Sequence, residues 1–500
     1  MVLFVKSSRL ILVVVLALIS VSRIIPPTIN NAVFSTDSWP LIRLTQLLLE
    51  SPWIRVLSLS TYHAKYPLAV LFSLIYTEIT SLDIYTFYAF LGAPLVTLAL
   101  TILLYTLLSR VFEKLSSTLA LLALLIYPSF ALFTSAYLKE VYSYPLSLLL
   151  LLLTVLATRR SVWIVVFIVG LTLVLSHPLT PLIIVVSITT YIYIKLVERV
   201  KLGVIGSTKY GNLIVVSLTI CTLYAVYTAL VGPLYAFSLI DIVVLTAYGV
   251  VLYATYFILY ADSRGFAVLT IALLMVAVFT YISLTEGIQV GLNIAFYGLP
   301  LLLLVTGLYK PRSLEGHVIV SLLLPVAVGV LYTLTYAKFL VTITHRFLNY
   351  LVYPLAVSLL MISRIKPRVV LILVILTLLV NSYVILHSVS AGKDPVLFYW
   401  RYTIADMTLR NYVEKYSITR LVSSVKYSYM LSGEVAGVSL DLISILRSCS
   451  STSSVLLITS YEEFIYGLPL SPLHYVRLTT DLFECSSVVY SSLENYILVK

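Results

Sequence analysis

The chain has 500 residues, of which 61% are hydrophobic and only 11% charged, and its mean hydropathy is +1.06. A soluble domain carries about 25% charged residues, so this composition excludes a water-soluble globule and makes lipid the solvent for most of the chain. The net charge of +11 does not indicate nucleic acid, because no basic face interleaved with aromatics is present; Lys and Arg collect instead in short loops, as on the cytoplasmic side of a membrane protein.

In chain order, Met1 to Pro26 carries Lys6 and Arg9 ahead of an apolar stretch with no small-residue cleavage site after it. This predicts a retained first helix with its N-terminus inside. Residues 27–83 then form the first external loop. The stretch Pro67 to Asp83 is apolar but short, and it contains Glu78. Counting it as a span would put Arg110 and Lys114 outside and invert every later loop, so it is expected to lie along the outer surface. The remaining spans are expected near 84–108, 117–135, 144–158, 161–177, 179–195, 212–231, 235–260, 265–284, 288–308, 316–338, 346–363 and 368–388. With the first helix this makes about thirteen. The cytoplasmic connections then hold Arg110 and Lys114; Arg159 and Arg160; Lys195, Arg199, Lys201 and Lys209; Arg264; Lys310 and Arg312; and Arg364, Lys366 and Arg368. Among the later external connections only Lys139, Lys338 and Arg346 are basic.

After Ser388 the chain turns polar. Residues 1–388 are therefore read as the transmembrane domain and 389–500 as a small extracytoplasmic α/β domain. Leu421–Ser424 and Ser454–Thr459 read as strands and Leu440–Arg447 as a helix; the segment from Val488 reads as a hairpin turning at Ser492-Leu-Glu-Asn. Cys449 and Cys485 both fall in this domain. Outside the cell they would either pair in a disulfide or remain two buried thiols.

The residues able to do chemistry gather on the external side, where charge close to lipid is costly unless it is used or paired. Asp37, in Ser35-Thr-Asp-Ser-Trp-Pro, precedes an amphipathic run. It reads either as a helix N-cap or as a carboxylate that serves as a general base or holds a metal. Lys139 and Glu140 sit in a short loop among Tyr137, Tyr142 and Tyr144, where a local salt bridge is the plainer reading. His177 closes the fifth span and has no second His at helical spacing. His345 and Arg346 open a late helix, where a guanidinium suits either an anionic phosphate or the lipid headgroups. Trp39, His63 and Lys65 complete the set.

In this order the features resemble the GT-C superfamily of membrane glycosyltransferases, especially its archaeal members. The resemblance rests on Thr36-Asp37-Ser-Trp39 after a first helix, Tyr66-Pro67 before a surface helix, and a Ser-Leu-Asp turn at Asp83. Glu140 in a short external loop, His177-Pro-Leu-Thr, Arg346-Phe-Leu and a soluble tail with Val-Tyr-Ser-Ser complete it. It implies a polytopic all-α membrane fold and a donor sugar on a polyprenyl phosphate such as dolichyl phosphate. It also implies Asp37 as catalytic base beside Glu140. Arg346, with Lys139 or His345, would hold the departing phosphate, and His177, Trp39, His63 and Lys65 would line the substrate site. A divalent metal, Mg or Mn, would have Asp37 and Glu140 as its ligands. Relatives often carry two acids together, or an aromatic and a His, after the first Asp, where this chain has Ser-Trp-Pro-Leu. The Trp-Trp-Asp signature of oligosaccharyltransferases is absent. The competing readings are a transporter or flippase for lipid-linked sugars, for which Asp241 would be the buried acid, and a non-catalytic membrane scaffold.

Overall fold

A computed structural model describes residues 2–51, 62–156, 160–201, 211–231, 239–259, 300, 303–304, 314–336, 344–365, 372, 375, 378–379, 382, 401–416, 421–432, 456–460, 463, 468–471, 474–476, 487–491 and 495–499. Six described helices are long and apolar enough to cross a membrane: Arg9–Asn30, Ile84–Val111, Leu179–Arg199, Gly211–Val231, Leu314–Tyr336 and Thr344–Ser363. The helices Lys139–Leu156, Arg160–Ser176 and Leu239–Leu259 lie beside them. Helices suit these sequences because a helix satisfies its own backbone hydrogen bonds where lipid offers no partners. Ile164, Phe167, Leu218, Leu230, Val243 and Val251 all remain exposed. Outward apolar side chains of this kind suit lipid and not water. The chain is a polytopic helical membrane protein with a small α/β domain at its C-terminal end.

The helix Leu68–Thr80 has 13 residues, about 20 Å at 1.5 Å per residue. A bilayer core is about 30 Å thick, so this helix cannot span it, in keeping with the surface placement expected from its charges. Two expected spans are broken instead of continuous. Residues 117–135 fall within Lys114–Ala120, Ala123–Ile126 and Pro128–Phe133 and the turns between them. Pro128 explains the second break, since it lacks an N–H and pushes Tyr127 out of the helical region, to φ −97° and ψ 96°. The pieces are almost wholly buried in protein, where broken backbone at membrane depth is tolerated. The late span divides into Thr344–Asn349 and Val352–Ile365. Pro354 cannot donate to the Tyr350 carbonyl, which accepts from Tyr353 N at 3.3 Å instead. This break frees the short helix that carries Arg346 to take its own direction.

The expected spans 265–284, 288–308 and 368–388 fall wholly or mostly outside the described residues, as do the helix 440–447, Cys449 and Cys485. Asp241 accepts a hydrogen bond from Tyr332 Oη at 2.8 Å.

In the C-terminal domain, strands β1 (Leu421–Ser423), β2 (Leu456–Ser460), β5 (Ser487–Ser491) and β6 (Asn495–Val499) form one sheet in the order β1-β2-β6-β5. The β1–β2 pair is parallel and the others antiparallel, and β5–β6 is the expected hairpin. The helices Ile404–Lys415 and Val425–Ser432 and the hairpin β3–β4 (Leu468–Ser471, His474–Val476) were not anticipated. The Val425–Ser432 helix packs on Ser38–Glu50, which joins the domain to the loop region after the first helix.

One close approach fixes the Arg346 helix. Gly329, in the helix Leu314–Tyr336, faces the Phe347 ring so closely that a Cβ there would overlap it. Gly329→Ala should therefore cost about 1–3 kcal/mol through overpacking, read as a lowered thermal midpoint of the purified full chain. An unchanged midpoint would mean that the Phe347 helix is free to shift.

Candidate active site

Asp37 stands at the N-cap position of the helix Ser38–Glu50, yet its side chain makes no capping bond. Its Oδ2 instead accepts from Arg346 Nη2 at 3.0 Å, joining residues 309 positions apart. The plain N-cap reading of Asp37 therefore fails. A compact turn presents the carboxylate: Ser35 adopts φ 82°, Ser38 N donates to Ser35 O at 3.2 Å and Trp39 N to Thr36 O at 3.3 Å.

Glu140 lies in the first turn of Lys139–Leu156, where the helix dipole favours a negative charge. Its Oε1 accepts from Tyr144 Oη at 2.7 Å. Its Oε2 is 3.9 Å from Arg346 Nε and 3.7 Å from His177 Nε2. His177 Nδ1 is 3.0 Å from Thr180 Oγ1, which in turn is 2.7 Å from Tyr350 Oη and 2.6 Å from Ser143 Oγ. A single polar chain thus runs from Asp37 through Arg346 and Glu140 to His177 and Thr180. Exposure grades along it: the side chains of Asp37 and Arg346 are 27% and 21% exposed, whereas Glu140 and His177 are each 2% exposed. The open end can meet a substrate and the sealed end holds it in place. Glu140 precedes the expected span at 144–158, and burial pushes its carboxyl up to about 7 against the opposing pull of Arg346.

Lys139 forms a second cationic point. Its Nζ lies 3.5 Å from the centre of the Tyr62 ring and 5.5 Å from that of Tyr66. Burial first, and then the Arg346 charge, hold its ammonium well below the usual lysine range, while Asp37 opposes. His63 senses the same pair: burial, Lys139 and Arg346 all push its imidazole down. The remaining expected residues stand further out. Trp39 is buried between Tyr85 and Tyr402. His345 sets its ring edge-on to Phe133, and Lys65 offers its carbonyl to Tyr227. Tyr144 beside Glu140, Tyr66 before Pro67 and Thr180 in His177-Pro-Leu-Thr stand in motifs of the sequence and belong to the site, as do Tyr62 and Tyr350, which carry no sequence signal beyond their polarity. Among the described residues, Trp39 Nε1 and Asn349 Nδ2 are buried donors without a hydrogen bond.

Arg346 reaches both carboxylates, and no three His, Cys, Asp or Glu side chains among the described residues gather closely enough to hold an ion.

Below the site is a cavity of about 490 Å³, lined by Leu108, Leu151, Ile184, Leu213, Val318 and Tyr353 among others. Its walls are mostly apolar side chains of the membrane helices, with Thr154, Ser187, Asn212 and Ser321 among them. Tyr353 is the link to the site above, its ring centre 6.4 Å from those of both Tyr144 and Tyr350.

No protein-family model matches the chain, and no curated protein does. Eleven chains of solved structures match. One is the crystal structure of ArnT from Cupriavidus metallidurans bound to undecaprenyl phosphate, with 12% identity and a TM-score of 0.45 over 97% of each chain. A likeness of that degree assigns neither family nor activity to this chain.

Tyr144→Phe removes the one hydrogen bond to buried Glu140 Oε1 and should destabilise the chain by about 1–3 kcal/mol. Thermal unfolding of the full chain in detergent reads this. No loss would mean that Glu140 is held by other groups.

Proposed function

We propose that this chain is a membrane glycosyltransferase of the GT-C type, moving a sugar from a polyprenyl phosphate such as dolichyl phosphate to an acceptor hydroxyl on the external face. The observation that carries the reading is the meeting of Asp37, Arg346, Glu140 and His177 in one cluster. A carboxylate and a guanidinium, both partly exposed, stand side by side with a second cation, Lys139, within electrostatic reach. This is the pairing that glycosyl transfer with a phosphate leaving group needs.

In this reading the donor phosphate docks on Arg346, which offers five N–H donors in a planar fork. Asp37 shares the same guanidinium. Docking of the phosphate draws Arg346 toward it, which leaves the Asp37 carboxylate free to meet the acceptor hydroxyl. Asp37 then takes the acceptor hydroxyl proton and the acceptor oxygen bonds to the anomeric carbon. The bond from that carbon to the phosphate oxygen breaks, and polyprenyl phosphate leaves with the electron pair. Arg346 and Lys139 stabilise the charge that develops on it. Glu140, backed by Tyr144 and His177, keeps Arg346 aimed outward. The apolar cavity falls within the size range of about 300–1,000 Å³ typical of ligand sites and would take part of the polyprenyl chain. The N-terminus is then cytoplasmic and the C-terminal domain extracytoplasmic. No step requires a metal.

The test is a gene replacement in the native host with Asp37→Asn, followed by mass spectrometry of glycans and lipid-linked sugars. Loss of a general base lowers rate by about 10²–10⁴-fold. One sugar should vanish from a glycan while its lipid-linked donor accumulates and the protein stays abundant in the membrane. An unchanged profile at normal abundance contradicts the reading and moves transport or scaffolding ahead of it.

A further inference from the structure

We propose that Tyr402 is a positioning residue for Asp37, and that the C-terminal domain acts through it to set the geometry of the site. The inference rests on the reading of Asp37 as the reacting carboxylate.

The turn that presents Asp37 is not one the chain adopts freely. Ser35 sits at φ 82°, a left-handed conformation that a residue with a Cβ avoids unless its surroundings impose it. Ser35, Thr36 and Ser38 are all buried, so the imposing contacts come from protein. Local bonds from Asp37 N to Ser35 Oγ and from Ser38 Oγ to the Phe34 carbonyl hold the turn from within, and Tyr402 adds contacts from the far end of the chain. Its hydroxyl lies 3.2 Å from Thr36 Oγ1 and donates to the Lys426 carbonyl at 2.9 Å. Its ring meets Trp39 edge-on, with centres 5.4 Å apart. Tyr402 thus grips the residue before Asp37 and the second residue after it.

Tyr402 is itself held by the core of the C-terminal domain. The next residue, Thr403, forms a capping box with Asp406 at the start of Ile404–Lys415. Asp406 Oδ1 accepts from Tyr427 Oη at 2.9 Å and from Asn495 Nδ2 at 3.0 Å, and Asn495 opens β6. Lys426 Nζ stands 3.8 Å from Asp406 Oδ2. Rigidity therefore passes from the sheet to Asp406, to Tyr402, to Thr36 and so to the Asp37 carboxylate. The domain also clamps the other side of the same helix. The Arg410 guanidinium lies over both Trp39, at 5.1 Å, and Tyr85, at 4.8 Å. Fully buried polar contacts are costly to build at a domain junction. Here they converge on the two flanks of one carboxylate.

The experiment uses the full chain with Tyr402→Phe, Thr36→Val, the double variant, and Thr36→Ser, which keeps the hydroxyl. Each is placed in the native host beside Asp37→Asn. Transfer is read by mass spectrometry as the sugar on the glycan relative to its accumulated lipid-linked donor. The same proteins in lipid nanodiscs are read by hydrogen exchange over the backbone of residues 34–40 and by melting temperature. Misplacing a reacting group by about 1 Å can cost about 100-fold, so loss of one hydroxyl contact is expected to lower transfer by roughly tenfold. Tyr402→Phe and Thr36→Val should each show it, with faster exchange concentrated in residues 34–40 and only a modest fall in melting temperature, the same for both although their effect on transfer is larger than that fall explains. The double variant should be no worse than the poorer single, since the two act through one contact, and Thr36→Ser should recover most of the loss.

Full transfer in Tyr402→Phe and Thr36→Val, with Asp37→Asn inactive, overturns the positioning role and leaves the functional reading standing. Additive losses that track a lower melting temperature overturn it as well, by making the contact merely structural. Full transfer in Asp37→Asn overturns both. If Tyr402→Phe falls in abundance, Thr36→Val carries the same comparison without altering the C-terminal domain.

Discussion

The arrangement turns on one ion pair, Asp37 with Arg346, closed at 3.0 Å between the loop region after the first helix and a helix 309 residues later. Charges beside lipid are costly when alone, and a chain with 11% charged residues has few to spend without purpose. The pair is neither sealed nor fully open to water. A wholly buried pair would be fixed, and removing either partner would be severe. A fully exposed one would be screened and worth little. At a fifth to a quarter exposed, it is strong enough to hold an apo geometry and open enough to exchange one partner for a phosphate.

The rest of the molecule serves that position from three directions. From below, the break at Pro354 and the close approach of Gly329 to Phe347 orient the short helix carrying Arg346. From within the bundle, Glu140, Tyr144, His177 and Thr180 form a sealed polar wall behind the guanidinium. From outside, the C-terminal domain grips the turn that carries Asp37. Because the three supports come from separate stretches of sequence, the site exists only in the assembled fold. The apolar cavity beneath extends the logic toward a substrate with a charged head and a hydrocarbon tail.

Much of this was legible in the sequence, and the reasons are physical. Long apolar helices have a period and a length that lipid thickness fixes, so Ile84–Val111, Gly211–Val231 and Leu314–Tyr336 lie close to their expected bounds. Polar residues near a membrane stand out against their background, so Asp37, Glu140, His177 and Arg346 were visible as a set before their contacts were known. Hydropathy does not register breaks inside buried helices. The pieces between Lys114 and Phe133 therefore read as one span, although Pro128 was there to be weighed. Tyrosines are common in this chain, 39 in all, so nothing in the pattern separates Tyr350 and Tyr402 from those that merely sit at an interface. In the C-terminal domain the period-2 strands were readable. The helix Ile404–Lys415 was missed although its capping box, Thr403 with Asp406, was a usable start signal.

The most direct test of the central claim, that Arg346 is a phosphate anchor held in check by Asp37, is the affinity of dolichyl phosphate for the full chain in lipid nanodiscs, measured by native mass spectrometry. Arg346→Ala should weaken binding by at least about tenfold, the loss of one charge-assisted contact. Asp37→Asn should bind as tightly as the unaltered chain or more tightly, because it frees the guanidinium. Equal affinity in Arg346→Ala, or weaker binding in Asp37→Asn, would contradict the account.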